Sequence, residues 1–209
     1  MSRDLLFEIG CEEIPSVPLY DALTELKDRA AAALDGTRLS YSSMAVYGSP
    51  RRLTLFVEAL AERQEDLSLT ARGPASKAAF DAAGAPTKAA EGFARSRGVA
   101  VESLFVAEAE GGEYVFAAVE ERGKDAMEIL PGLLATLASD LDWAKSMRWG
   151  SGSTRFIRPV RWLVALFGSA VVPVTFAGVE AGRVSHGHRF LDGPVEIPYA
   201  GAYVPRQVS

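Results

Sequence analysis

Between Arg148 and Arg189 the chain carries six arginines and a single acid, Glu180. The whole chain has 22 basic and 27 acidic residues, so what lies outside this block holds 16 basic against 26 acidic. Positive charge segregated in this way on an acidic chain calls for an anionic partner, either phosphates or the carboxylates of another protein. The contact candidates that follow are Lys145, Arg148, Arg155, Arg158, Arg161, His186, His188 and Arg189. Arg51 and Arg52 join them, because guanidinium is planar and forked where ammonium is a point charge, and so matches phosphate or carboxylate through two parallel hydrogen bonds. On an alternating strand two consecutive residues face opposite sides, so at most one of this tandem pair serves a given site, and a structural salt bridge is the competing reading for each. Arg158 and Arg161 flank Pro159 at the start of an apolar run whose alternate residues need burial. One of them is therefore expected at the core edge, paired with Glu8, Glu12 or Glu13; Arg161 is assigned that structural role and Arg158 the functional one.

Other reactive types are sparse. His186 and His188 point the same way in an extended segment, but a closed zinc site needs four ligands and the rest offers only Cys11 and scattered acids, so no metal site is expected. Cys11 has no histidine near it in sequence and is not read as a nucleophile. Glu12 and Glu13 lie between a strand and a helix, where they either bind a cation or cap the helix. Gly150-Ser151-Gly152-Ser153, flanked by Arg148 and Arg155, reads as an anion nest or as a plain connector, since it lacks the full dinucleotide and nucleotide-loop patterns. Trp143, Trp149 and Trp162 are base-stacking candidates or core.

The elements that position these residues follow from periodicity. Asp4 to Ile9 reads as a strand and Gly10 to Pro15 as a turn. Pro18 to Leu34 reads as a helix, with Leu19, Leu23, Leu26, Ala30 and Leu34 at three- and four-residue spacings. Leu39 to Tyr47 and Leu53 to Leu60 read as strands joined by Gly48-Ser49-Pro50. Pro74 to Ala83 and Pro86 to Arg97 have the alanine content and Pro/Gly punctuation of two short helices. Val101 to Ala107 and Tyr114 to Glu120 form a hairpin, and Asp125 to Leu141 a longer helix. Val160 to Phe167 and Val171 to Phe176 read as buried strands, Val195 to Pro198 as a short last strand, and Tyr199 to Val204 as a helix start. The fold class is α+β, mixed sheets with packed helices, as one domain or two: a β-α-β-β unit over 1–70, then a helical insert, hairpin, helix and Arg-rich sheet region over 71–209. Linker candidates are Gly84 to Pro86 and Glu62 to Ser68.

Composition sets the class. With 209 residues and 48% hydrophobic content a sizeable core is available. One cysteine excludes an internal disulfide framework. No apolar run approaches the ~20 residues of a membrane span, and no signal-peptide pattern opens the chain, which makes the cytoplasm the expected location and excludes a membrane partner.

Several segments carry a resemblance: LLFEIGCEEIP (Leu5 to Pro15), SPRRL (Ser49 to Leu53), ARGPASKAAFDAAGAPTKAAEGFAR (Ala71 to Arg95), then K-x-M-R-W, F-x-R-P-V-R-W and G-H-R-F between Lys145 and Phe190. In order and rough spacing they resemble the β subunit of the bacterial two-subunit glycyl-tRNA synthetase, and the family's longer β subunit implies that this is its N-terminal portion. The resemblance implies a place in glycine–tRNA ligase, where ATP, glycine and tRNA give glycyl-tRNA, AMP and pyrophosphate. It further implies the α subunit, the rest of β and tRNA as partners, with glycine activation on α and tRNA binding on β. No class II ATP site is assembled here, so the chain alone is expected to have no catalytic residues, no activity and no bound cofactor, ATP and Mg being used by the assembled enzyme. Two other classes stay open: an editing-like hydrolase or small-molecule-binding domain, which lacks a nucleophile and base pair and which glycine's size makes unnecessary, and an inert structural domain.

Overall fold

The computed structural model describes residues 1–109, 111–149, 153–187 and 193–203. In chain order the elements are β1 (Ser2–Cys11), α1 (Ser16–Asp35), β2 (Ser43–Ser49), β3 (Arg52–Ala61), β4 (Leu67–Ala75), α2 (Ser76–Ala79), α3 (Lys88–Arg97), β5 (Phe105–Ala109) and β6 (Gly112–Glu121). They continue with α4 (Ala126–Asp140), β7 (Val160–Phe167), β8 (Ala170–Val171), β9 (Thr175–Phe176), β10 (Val179–Gly182), β11 (Val184–His186) and β12 (Pro194–Glu196). The class is α+β. The chain forms two compact units, Met1–Gln64 with Lys124–Ser209, and Glu65–Gly123. That division is discontinuous, whereas the reading above placed one break at 70/71; its first cut lies inside the polar stretch 62–68.

The discontinuous unit is built on a seven-stranded sheet ordered β2-β3-β1-β7-β10-β9, with β8 paired to β7. Every residue of β1 from Leu5 to Cys11 is buried, because the strand is flanked on both edges and covered on both faces. Period-two alternation divides it. Leu5, Phe7, Ile9 and Cys11 enter one core together with Leu53, Leu55 and Val57 of β3 and Leu163, Ala165 and Phe167 of β7. Onto this face α1 lays Leu19, Ala22, Leu26, Ala30 and Leu34, and α4 lays Leu130, Leu134 and Leu137, the helical spacings visible in the sequence. The alternate residues Leu6, Glu8 and Gly10 look the other way. There a smaller cluster holds Leu6, Trp162, Val164, Leu166, Ile197, Ala200 and Tyr203.

The Glu65–Gly123 unit is a three-stranded antiparallel sheet, β4-β6-β5, with a small core of Ala79, Ala90 and Val115 against Phe80, Phe93 and Leu104. Several expected boundaries change. β4 takes Pro74 and Ala75, so the first short helix shrinks to Ser76–Ala79, and Val101–Ser103 is a 3₁₀ turn before β5. Val171 to Phe176 divides into β8 and β9 around Val172, Pro173 and Val174, proline having no N–H for a ladder. The segment from Tyr199 makes only a 3₁₀ turn at Ala200–Ala202. Glu12 and Glu13 do not cap α1, which starts after Pro15 with no side-chain cap and no acid in its first turn.

The two ends of the discontinuous unit meet where the Glu65–Gly123 unit departs. Gln64 N–H donates to the Lys124 carbonyl at 2.9 Å, the Gln64 side chain accepts from Lys124 N–H at 2.9 Å, and Arg63 bridges Asp125 antiparallel. That is hairpin geometry. Replacing residues 65–123 by Asn-Gly, a turn that joins antiparallel strands, is expected to leave a cooperatively melting protein with the parent near-ultraviolet signature of Trp143, Trp149 and Trp162; a non-cooperative melt would refute this independence.

Candidate basic site at the end of the central strand

On the second face of the sheet, Glu8 is, among the described residues, the one acid with no exposure, and it is saturated. Its Oε1 accepts from Trp162 Nε1 at 2.5 Å and from Ser185 Oγ at 2.6 Å; its Oε2 accepts from the Tyr203 hydroxyl at 2.5 Å and from Arg52 at 3.5 Å. Four donors match the roughly four lone-pair positions of a carboxylate, and Arg52 balances the charge. Thr54, directly opposite Glu8 on β3, lies 2.8 Å from the Tyr203 hydroxyl, which already donates to Glu8, so Thr54 is the donor there. Burial first, then the Glu8 charge, holds the Tyr203 phenol well above the usual tyrosine range.

Arg52 also donates to Ser185 Oγ at 3.3 Å and to the His186 carbonyl. The arginine at the core edge is thus Arg52, and its acid is Glu8. Arg161 does not fill that role: its side chain is 59% exposed and pairs with Glu12 at 2.6 Å on the surface. The physical reason is its place at the irregular start of β7: the register with β1 shifts between Gly10 and Cys11, Val160 and Trp162 enter different cores, and Arg161 between them is left exposed. Arg158 is half-buried and donates to the carbonyls of Glu13 and Ile157, both at 2.9 Å.

Gly10 makes the arrangement possible. It lies opposite both Arg52 and Trp162 in the ladder, and a Cβ there would come within 1.9 Å of the indole. The Trp162 ring therefore lies over bare backbone. The Arg51 guanidinium sits 5.4 Å from the centre of that ring, and the exposed His186 imidazole 4.8 Å away. Three strand ends are tied together at this point: Cys11 N–H donates to the Arg51 carbonyl, Glu12 N–H to Pro159, and Ile14 N–H to Pro50.

The structure thus gathers Arg51, Arg52, Arg158, Arg161 and His186 at the carboxyl end of β1. Arg148 and Arg155 lie exposed on the segment closed by the Met147–Phe156 bridge, and Lys145 is exposed just before it. Arg155 donates to Ser146 Oγ at 3.3 Å and borders an open cleft of about 550 Å³ with Thr136, Ser139 and Thr175. His188, Arg189 and Gly150 to Gly152 lie outside the described residues. Of the tryptophans, Trp162 is buried and Trp143 packs edge-on to Phe156 at 4.9 Å, which supports the core reading. Sequence reasoning missed Ser185, Thr54 and Tyr203, neutral residues remote in sequence from Glu8, and the only signal for them was the inward parity of Glu8 in an apolar strand.

Cys11 is fully buried, and burial pushes its thiol up to about 12 even though Arg51 and Arg158 pull it down. Among the described residues no group of three or more His, Cys, Asp or Glu could hold a metal ion, and no helix is long and apolar enough to cross a membrane.

Two outcomes follow. Glu8→Gln presents an amide where donors converge and is expected to lower unfolding free energy by about 3–5 kcal/mol, against about 0–1 kcal/mol for Arg161→Met, which removes an exposed pair; urea melts of equal cost would contradict the assignment. A thiol whose pKa is raised stays protonated at pH 8, so Cys11 is expected to resist a thiol-specific disulfide reagent until the chain unfolds, and stoichiometric labelling of native protein would show otherwise.

A sequence model of the family described as the glycyl-tRNA synthetase beta subunit matches residues 5–207. The chain is 52% identical over 204 residues to the glycine–tRNA ligase beta subunit of Moorella thermoacetica, covering 97% of this chain and 29% of that protein. It is 45% identical over 203 residues to the corresponding protein of Desulfitobacterium hafniense, with 97% and 29% covered, and 46% identical over 189 residues to that of Geobacter metallireducens, with 90% and 28% covered. The chain therefore spans under a third of the length of the curated relatives it matches.

Proposed function

The chain belongs to the glycyl-tRNA synthetase beta subunit family, and on that premise we propose that it serves glycine–tRNA ligase as a module for RNA handling and subunit assembly. Its partners are then tRNA, the α subunit and the remainder of β. Glycine activation with ATP and Mg takes place outside these residues, and the module works in the cytoplasm. The observation that carries this reading is the convergence of Arg51, Arg158, Arg161 and His186 around the end of β1, on a chain that is otherwise acidic.

The geometry favours contact over chemistry. The cations are held by backbone carbonyls, a half-buried acid and an indole ring, so their orientation is set before a partner arrives, while the buried Glu8 network holds the strands together. Lys145, Arg148 and Arg155 extend the same role along the exposed segment, and His188 and Arg189 are proposed to join them. A hydrolytic role has little to rest on. The buried thiol is a protonated one, and the buried carboxylate has every acceptor position filled.

If this rim meets RNA phosphates, tRNA binding by the chain should fall linearly in log–log salt with a slope of roughly 0.7–0.9 per phosphate contacted. Arg158→Ala combined with Arg161→Ala is expected to weaken affinity and flatten that slope by the contacts removed. Affinity insensitive to both salt and these substitutions would overturn the reading.

A further inference from the structure

The tandem arginines at the β2–β3 turn have different fates. Arg52 is sealed in the Glu8 network. Arg51 is half-exposed, and among the described residues its guanidinium has neither a carboxylate nor a hydrogen-bond acceptor; its recorded contact is the face of Trp162. Arg161 has Glu12, and Arg158 has two carbonyls. Among the described residues Arg51 is the arginine of this rim whose guanidinium meets neither a carboxylate nor a carbonyl.

We propose that Arg51, seated on Trp162 and flanked by His186, is a receptor for a phosphate group. The Arg51 Nε is buried with no hydrogen-bond partner. With its Cζ over the indole and Nε closed off, the charge presents its terminal nitrogens, the pair of donors that fits two phosphate oxygens at once. A cation stripped of water on one side gains more from an arriving anion than a fully hydrated one.

The receptor is preorganised. Its platform, Trp162, is fixed by the 2.5 Å bond to Glu8 and by the bare backbone of Gly10 beneath it. The Arg51 main chain is held on both sides, its carbonyl accepting from Cys11 N–H at 2.9 Å and its N–H donating to Ser49 Oγ at 3.4 Å. His186 stands on the same ring at 4.8 Å, its backbone fixed by Arg52, and supplies a ring N–H as a further donor. Arg158, held by the carbonyls of Glu13 and Ile157, adds positive field. The nearby acids are Glu12, occupied by Arg161, and the exposed Glu13. This site rests on the RNA-handling role above, and the phosphate belongs either to an RNA backbone or to a terminal phosphate.

The test uses the ¹⁵N-labelled full chain and the Trp162 indole N–H signal, assigned by elimination with Trp143→Phe and Trp149→Phe. It is titrated at constant ionic strength with inorganic phosphate, with AMP, with a single-stranded RNA dodecamer lacking terminal phosphates, and with acetate. A saturable shift with the dodecamer assigns the site to backbone phosphodiesters, and one with phosphate and AMP alone assigns it to a terminal phosphate; either supports the proposal. The shift is expected to lose at least tenfold in apparent affinity in Arg51→Met and to be partly restored in Arg51→Lys, with Arg51→Gln replacing the Met variant if that does not fold. An equal response to acetate, no saturable response, or an unchanged one in the Arg51 variants would overturn it. If Arg51→Met binds tRNA as the parent does while the Arg158, Arg161 double variant does not, the receptor falls and the RNA-handling role stands. If neither substitution alters tRNA binding, the role falls as well.

Discussion

A carboxylate without access to water constrains everything around it. Desolvating Glu8 alone would be prohibitive, so each of its acceptor positions must be filled by a protein donor and its charge must be answered. Those donors come from β3, β7, β11 and the 3₁₀ turn that ends at Tyr203. Four pieces of chain that are far apart in sequence thereby acquire a common anchor. The arrangement also fixes which face of the sheet is polar: β1 sends Leu5, Phe7 and Ile9 to the helices and Leu6, Glu8 and Gly10 to the opposite side. A one-residue slip would reverse both sets, and Glu8 facing the apolar core would have no donors. Register and charge thus enforce one another.

From this anchor the surface follows. Trp162 reaches Glu8 only by crossing Gly10, and in that position its outer face becomes the seat for Arg51 and His186. Sequence neighbours then meet different surroundings. Arg52 turns in and Arg51 stays at the rim; Trp162 turns in and Arg161 turns out. What reads along the chain as one arginine block is in the fold a mixture of a surface ion pair at Arg161 and carbonyl clamps at Arg158 and Arg183. Charge density in sequence reports none of these distinctions, because each depends on which strand lies next door.

How far the residues spoke for themselves varies with the distance of their partners. α1 and α4 are legible because their apolar spacing is internal to each helix, and β1, β3 and β7 because their apolar residues alternate or run together between turn signals. β4 is not, since Leu67 to Ala75 mixes Ser, Thr, Arg, Gly and Pro on a strand with no buried residue. β10 is four residues long and is a strand by virtue of its parallel pairing to β7. The candidate arginines are visible by type, but spacing points to Arg161 as the core-edge one, whereas Arg52 holds that place. Telling them apart requires knowing that Gly10 faces both Arg52 and Trp162, a fact about three strands together.

The span of the Glu8 network has a consequence for biosynthesis. The carboxylate at residue 8 and the phenol it requires are 195 residues apart. At ribosomal rates of about 5–20 residues per second, roughly 10–40 s separate the emergence of the two. Through that interval the second face of β1 has its acid but not its full set of donors: Arg52, Trp162 and Ser185 emerge first and Tyr203 last, and the network cannot close before it does. The nascent chain must keep Glu8 hydrated until the last tenth of this region leaves the exit tunnel, so this face is assembled last, whatever the helical face has already done.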